Sequence, residues 1–188
     1  MLFRSHSGIE HDIYNLTKDP NKIIKTSSYH GNILDPKTGN IIGKNKYAKV
    51  PLDKEMVEFF IAHPDIIAKV YKVHPNYMVV EKLNTKKFLD ENEKLIKAFK
   101  KHKIYNSHFL DDGENPEQII HVLYNMLQSD KIIDKLFNIT KKEGIDDILS
   151  RWIIFLEKLK KYEGKYNIDL HNGNLGYDNE GKIKLLDI

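Results

Sequence analysis

The stretch that most constrains the fold runs from Asn167 to Ile188. It opens with a polar segment, Ile168-Asp169-Leu170-His171-Asn172-Gly173-Asn174, in which an Asp and an Asn stand five positions apart. From Leu175 the pattern predicts a short hairpin, with Asn179-Glu180-Gly181 as its turn and Ile183, Leu185 and Leu186 on the return strand. Asp187 closes that strand, thirteen positions after Asn174. A hairpin fixes the distance between the residues at its two ends, so Asn174 and Asp187 are predicted to be held together. A polar turn with Asp169 capping backbone amides would account for one Asp. It does not account for three polar residues at two fixed intervals followed by a hairpin.

These residue types suit phosphoryl transfer. One carboxylate can orient an attacking hydroxyl, while an amide oxygen and a second carboxylate hold Mg²⁺ against nucleotide phosphates. With those residues in view, the stretch resembles the catalytic loop and metal-binding segment of the protein-kinase-like superfamily. The wording Asp169-Leu170-His171-x-Gly173-Asn174 is closer to aminoglycoside phosphotransferases, choline kinases and small phage kinase-like proteins than to eukaryotic protein kinases. The resemblance implies an α+β, two-lobed protein-kinase-like fold. Residues 1–83 would form an antiparallel-sheet N-lobe with one helix, and residues 84–188 a truncated helical C-lobe. It also implies ATP and Mg²⁺ as ligands, Asp169, Asn174 and Asp187 as catalytic residues, and Asn174 and Asp187 as the metal ligands.

Composition narrows the class. Hydrophobic content of 40% with interspersed charge predicts a folded chain. Thirty basic residues against twenty-seven acids leave a net charge of +3, which favours phosphate-bearing ligands only weakly. The lysines are spread over several segments with no aromatic-basic signature, so nucleic acid is not an expected partner. Cysteine is absent, which excludes disulfides and thiolate metal sites. No signal peptide and no run of roughly 20 apolar residues is seen, so the expectation is a cytoplasmic protein, of the producing or a host cell, with no membrane contact.

In the first half, residues 8–17 and 21–26 alternate around Thr17-Lys18-Asp19-Pro20-Asn21 and predict a hairpin. The resemblance makes this the nucleotide lid and the strand bearing the phosphate-gripping lysine. It sets Gly8 on the second glycine of the phosphate loop, with His6 and His11 where the other glycines would stand. A permissive β-turn glycine is the competing reading of Gly8. Lys25, at the end of Ile23-Ile24-Lys25, is the candidate phosphate lysine, with Lys49 as competitor. Ile13 and Ile23 would cover one face of the adenine. Residues 29–50 read as an insertion with turns and two short strands, Ile41-Ile42 and Tyr47-Ala48-Lys49-Val50.

Residues 52–62 predict an amphipathic helix capped by Asp53, with Val57, Phe60 and Ile61 at near-helical spacing. The resemblance gives this helix the glutamate that pairs with the lysine: Glu55, or Glu58 one turn later. A second hairpin around His74-Pro75-Asn76 follows. In the resemblance Val80 lies beside the adenine pocket, and the Glu81 carbonyl and Leu83 N–H bond the adenine edge.

The second half turns helical. The spacing predicts helices over 90–102, from Asn115-Pro116-Glu117 through Leu127, over 130–138 and over 145–162. Several positions depart from the family. Asn167-Ile168-Asp169 stands for His-Arg-Asp, and His171 for the transfer-site lysine. Gly176 stands where a large residue often floors the adenine pocket. With Ile188 as the end of the chain, the activation segment and the acceptor-binding helices are missing, as in minimal phage or bacterial-effector kinase-like proteins. The resemblance therefore implies a kinase acting on a hydroxyl of a protein or small molecule. The alternative it leaves is a non-catalytic kinase-like module that works through a host or partner protein.

Overall fold

Apolar residues alternate on either side of a tight turn, and in the computed structural model they pair as strands. The structure describes residues 9–35, 41–104, 123, 130–162 and 172–187. Strand β1 (Ile9–Asn15) pairs antiparallel with β2 (Lys22–Leu34). The turn between them closes because the Asp19 carboxylate accepts from the Asn21 N–H at 3.1 Å and binds the Lys22 ammonium at 2.7 Å. Strand β2 continues far beyond Lys25. Its outer part pairs with β3 (Ile41–Val50), one ten-residue strand where the sequence pattern predicted two short ones. Antiparallel pairing with β2 carries the chain through the polar positions Gly43–Lys46, which lack strand propensity of their own.

Strands β4 (Val70–His74) and β5 (Tyr77–Glu81) form the second hairpin. The sheet order is β1-β2-β5-β4, with β3 also on β2. Helix α1 (Lys54–Ala62) precedes β4, and the Asp53 carboxylate accepts the Met56 N–H at 2.8 Å, as a cap should. Its buried face is Met56, Phe59 and Phe60. The expected face of Val57, Phe60 and Ile61 is rotated: Ile61 is 57% exposed.

The remaining elements are α2 (Thr85–Lys101), α3 (Asp130–Glu143), α4 (Asp146–Leu159) and a hairpin of β6 (Leu175–Tyr177) and β7 (Ile183–Leu185). Helix α2 starts at Thr85 because the Asn84 side chain caps it, accepting from the Lys87 N–H at 2.9 Å. Helix α3 runs through Glu143, beyond the expected 138. It gives way to α4 at Gly144, whose φ of +67° suits glycine. The predicted helix from Asn115 lies outside the described residues except at Leu123, which is helical and buried. The helical core gathers Phe88, Leu95 and Phe99 of α2, Leu136 of α3, and Leu149, Trp152 and Phe155 of α4. Trp152 donates its indole N–H to the buried Asn92 amide oxygen at 2.8 Å, which satisfies the one polar atom a tryptophan brings into a core.

The fold is thus mixed α+β, with an antiparallel sheet and four helices among the described residues. The chain divides into two compact units. One is Met1–Pro64 with Ala68–Lys82, and the other is Asp65–Ile67 with Leu83–Ile188. Among the described residues no helix is long and apolar enough to cross a membrane. The Asp53→Ala variant should lose about 1 kcal/mol of stability with the cap, read as a lower urea midpoint at unchanged slope.

Candidate functional site

The β6–β7 hairpin is set by its turn. The Asp178 carboxylate accepts the N–H groups of Glu180 at 2.9 Å and Lys182 at 2.8 Å. Gly181 takes the positive φ, +77°, that the reversal needs. Asp178 is also ion-paired with Lys184 of β7 at 3.2 Å, and both are largely buried. The register Leu175↔Leu185, Gly176↔Lys184 and Tyr177↔Ile183 then fixes what lies at the open end.

At that end stand Asn174 and Asp187. Asn174 finishes a 3₁₀ turn, Asn172–Asn174, and is 3% exposed. Its carbonyl accepts the Leu186 N–H at 2.8 Å. Its side-chain nitrogen donates to the Asp187 carbonyl at 2.9 Å. The two residues are therefore clamped through backbone and side chain together. Strand β7 ends at Leu185, and Leu186 is buried just past it.

An amide oxygen and a carboxylate are hard donors of the class Mg²⁺ takes, with water and substrate phosphates completing the shell. The pair fits that ion in donor chemistry. Among the described residues no cluster of three or more His, Cys, Asp or Glu could hold a metal by itself. Asp169, His171 and Gly8 lie outside the described residues.

Both edges of the hairpin are paired by single residues. Asn84 bridges Tyr177, donating its N–H to the Tyr177 carbonyl at 2.8 Å. Ile67 bridges Leu185, whose N–H reaches the Ile66 carbonyl at 2.9 Å. The first contact explains Gly176. A Cβ there would stand 2.7 Å from the Leu83 Cβ and 3.3 Å from the Thr85 backbone nitrogen. The glycine is therefore a close-approach residue, and the segment Leu83–Thr85 fills the space that a larger side chain would take.

Leu83 itself is 5% exposed. The neighbouring N–H groups are spent, Lys82 on the Asn21 carbonyl at 2.8 Å and Asn84 on Tyr177. The Leu83 N–H has no acceptor among the described residues. Glu81 contributes more than main chain. Its N–H reaches the Lys69 carbonyl at 2.8 Å and its carboxylate accepts from the Lys69 N–H at 3.4 Å, so it ties down the bulge in β4.

Lys25 is fully buried, with its ammonium 4.9 Å from the centre of the Phe60 ring. The register sets Ile13 opposite Lys25, Lys25 opposite Met78, and Ile23 opposite Val80. Cross-strand partners share a face. Ile13, Ile23, Lys25 and Val80 therefore stand on one side of the sheet. Ile13 is 49% exposed, whereas Ile23 is buried. Glu55 and Glu58 are both exposed, outside the buried face of α1, and Glu58 pairs with Lys54 at 3.7 Å.

Compared with family models, with curated proteins and with solved structures, the chain matches none. The sequence reading missed the Asp178–Lys184 brace, although Asp-Asn-Glu-Gly is a recognisable Asx-turn signal. The pattern also ran the first strand of the second hairpin from Ile66 to Val73, whereas β4 begins at Val70 and Ile67 bridges Leu185 instead.

Two outcomes follow from the hairpin. Gly176→Ala must push back Leu83 and Thr85 and should cost about 1–3 kcal/mol, measured by denaturant unfolding. The Tyr177 hydroxyl is held above its usual range by burial first and then by the Glu91 carboxylate, against the pull of Arg151. A pKa raised in the folded state means the unfolded chain ionises first as pH rises. The stability tied to this group is complete below about pH 10 and falls from there upward. Tyr177→Phe should flatten the alkaline loss in melting temperature measured from pH 9 to 11.

Proposed function

We propose that the chain is an ATP- and Mg²⁺-dependent phosphotransferase of the protein-kinase-like kind. The observation that carries this reading is the clamp between Asn174 and Asp187, which are thirteen residues apart in sequence and held by a side-chain hydrogen bond of 2.9 Å. The bond reaches the main-chain carbonyl of residue 187, so it sets where the two residues stand relative to each other.

Asn174 and Asp187 would hold Mg²⁺, through the amide oxygen and the carboxylate. The ion would supply charge neutralisation on the phosphates. Lys25 would add a cation for the phosphates. The Glu81 carbonyl and the Leu83 N–H would take the adenine edge, and the lack of an acceptor for that N–H among the described residues supports the assignment. Ile13 and Ile23 would cover the base. Asp169 would accept a hydrogen bond from the acceptor hydroxyl and take its proton as the phosphoryl group is transferred. Positioning and electrostatics would carry most of the rate.

A specific observation favours a second reading. Glu55 lies on the exposed side of α1, while Lys25 is fully buried over Phe60. A chain that grips phosphates through a Lys–Glu pair keeps both partners together. In the second reading the chain binds nucleotide and acts through a partner protein without transferring phosphate.

Thermal melting with ATP, with and without Mg²⁺, followed by transfer of labelled γ-phosphate to small hydroxyl compounds and to lysate, separates these readings. ATP at about 100 times its Kd should stabilise the chain by about 2.7 kcal/mol. Asp187→Asn should remove the Mg²⁺-dependent part of that shift. Asp169→Asn should keep the shift and lower transfer by roughly 10²–10⁴-fold. A shift without transfer supports the binding module, and no shift under either condition ends both readings.

A further inference from the structure

We propose that the groove between the end of α1 and strand β4 binds an extended acidic segment of a partner protein, added to the sheet as a further strand on β4. This goes beyond the phosphotransferase reading and does not depend on it.

The groove lies within the strand-rich unit, is open to solvent along its length and has a volume of about 380 Å³. Ile61, Tyr71 and Val73 line it, and each is more than two-fifths exposed. Exposed apolar side chains scattered singly need no explanation, but three along one groove give an incoming chain apolar surface to cover. Strand β4 closes the sheet order, so among the described residues its outer edge has no strand partner. An unpaired edge offers a row of backbone donors and acceptors to an incoming chain.

Charge decides the kind of partner. The groove lining includes Lys69 and Lys72 and no acidic residue. Neither lysine makes an ion pair among the described residues. Lys22, the next cation, lies 4.5 Å from the Tyr71 ring but is committed to Asp19. Lysines on an edge strand usually serve to discourage pairing. Here they stand beside an apolar groove, so they select among partners. A basic or neutral strand would be left facing two unmatched cations, whereas a strand carrying Asp or Glu between apolar residues would pair with both. A second copy of this chain is disfavoured by the same charges, because β4 paired with its own copy brings two sets of Lys69 and Lys72 into one short ribbon.

The probe is a fluorescein-labelled seven-residue peptide alternating Glu with Leu or Phe, long enough to cover the five residues of β4. Anisotropy titrations use the full chain. Binding should weaken with added salt. Lys72→Glu, and a probe with Lys in place of Glu, should each weaken it by about tenfold or more. Val73→Glu should abolish it with an unchanged melting temperature, because Val73 is exposed. A probe with a central proline should fail, since it cannot complete the backbone ladder. Three outcomes would overturn the proposal. They are no binding of the Glu-containing peptide, equal binding of the Lys-containing one, and sedimentation showing a dimer that Val73→Glu dissociates, which would make a second copy the occupant.

Discussion

The arrangement at the candidate site depends on how a three-residue-per-strand hairpin is kept in place. Two short strands alone are marginal in water. This pair survives because each edge is closed by one residue from elsewhere in its own unit, Asn84 on β6 and Ile67 on β7. The sheet stays two-stranded, with one bridging residue on each outer edge. The buried Asp178–Lys184 pair and the Asp178 turn fix its closed end. Only then can Leu186 and Asn174 meet across the open end at hydrogen-bond distance.

Much of this is readable from sequence where the signal is local. Asp53 announces a helix start, Asn179-Glu180-Gly181 announces the turn, and the apolar spacing of α4 announces its core face, whereas the Asn84 cap went unread and α2 starts five residues before the expected 90. The hairpin intervals by themselves set Asn174 beside Asp187. What escaped has a common cause. Ile67 and Asn84 act as single bridging residues, and one residue has no period to detect. Gly176 read as a missing pocket floor because its neighbour in space, Leu83, is far away in sequence. Helix α1 is rotated from its expected face because Met56 and Phe59 pack inside, and a nine-residue helix gives too few turns to define its stripe.

Lys25 is a fully buried lysine beside an aromatic ring. A lysine with no solvent exposure has lost its hydration, and the Phe60 ring offsets part of that through its negative face. The place of Lys25 on the same sheet face as Ile13, Ile23 and Val80 makes that face the chemically distinctive one. The opposite edge of the sheet, at β4, is distinctive in another way, through apolar exposure beside unmatched charge.

The strip Asp65–Ile67 belongs with the helical residues although both its sequence neighbours belong with the sheet. The polypeptide therefore leaves one folding unit, contributes three residues to the other, and returns before finally crossing after Lys82. A fragment starting at Leu83 would lack the backbone that caps β7 and would leave the Leu185 amide without its acceptor. During synthesis, Ile66 and Ile67 emerge from the ribosome long before Leu185 exists. The helical unit cannot close the edge of β7 until Leu185 is translated and meets residues made more than a hundred positions earlier.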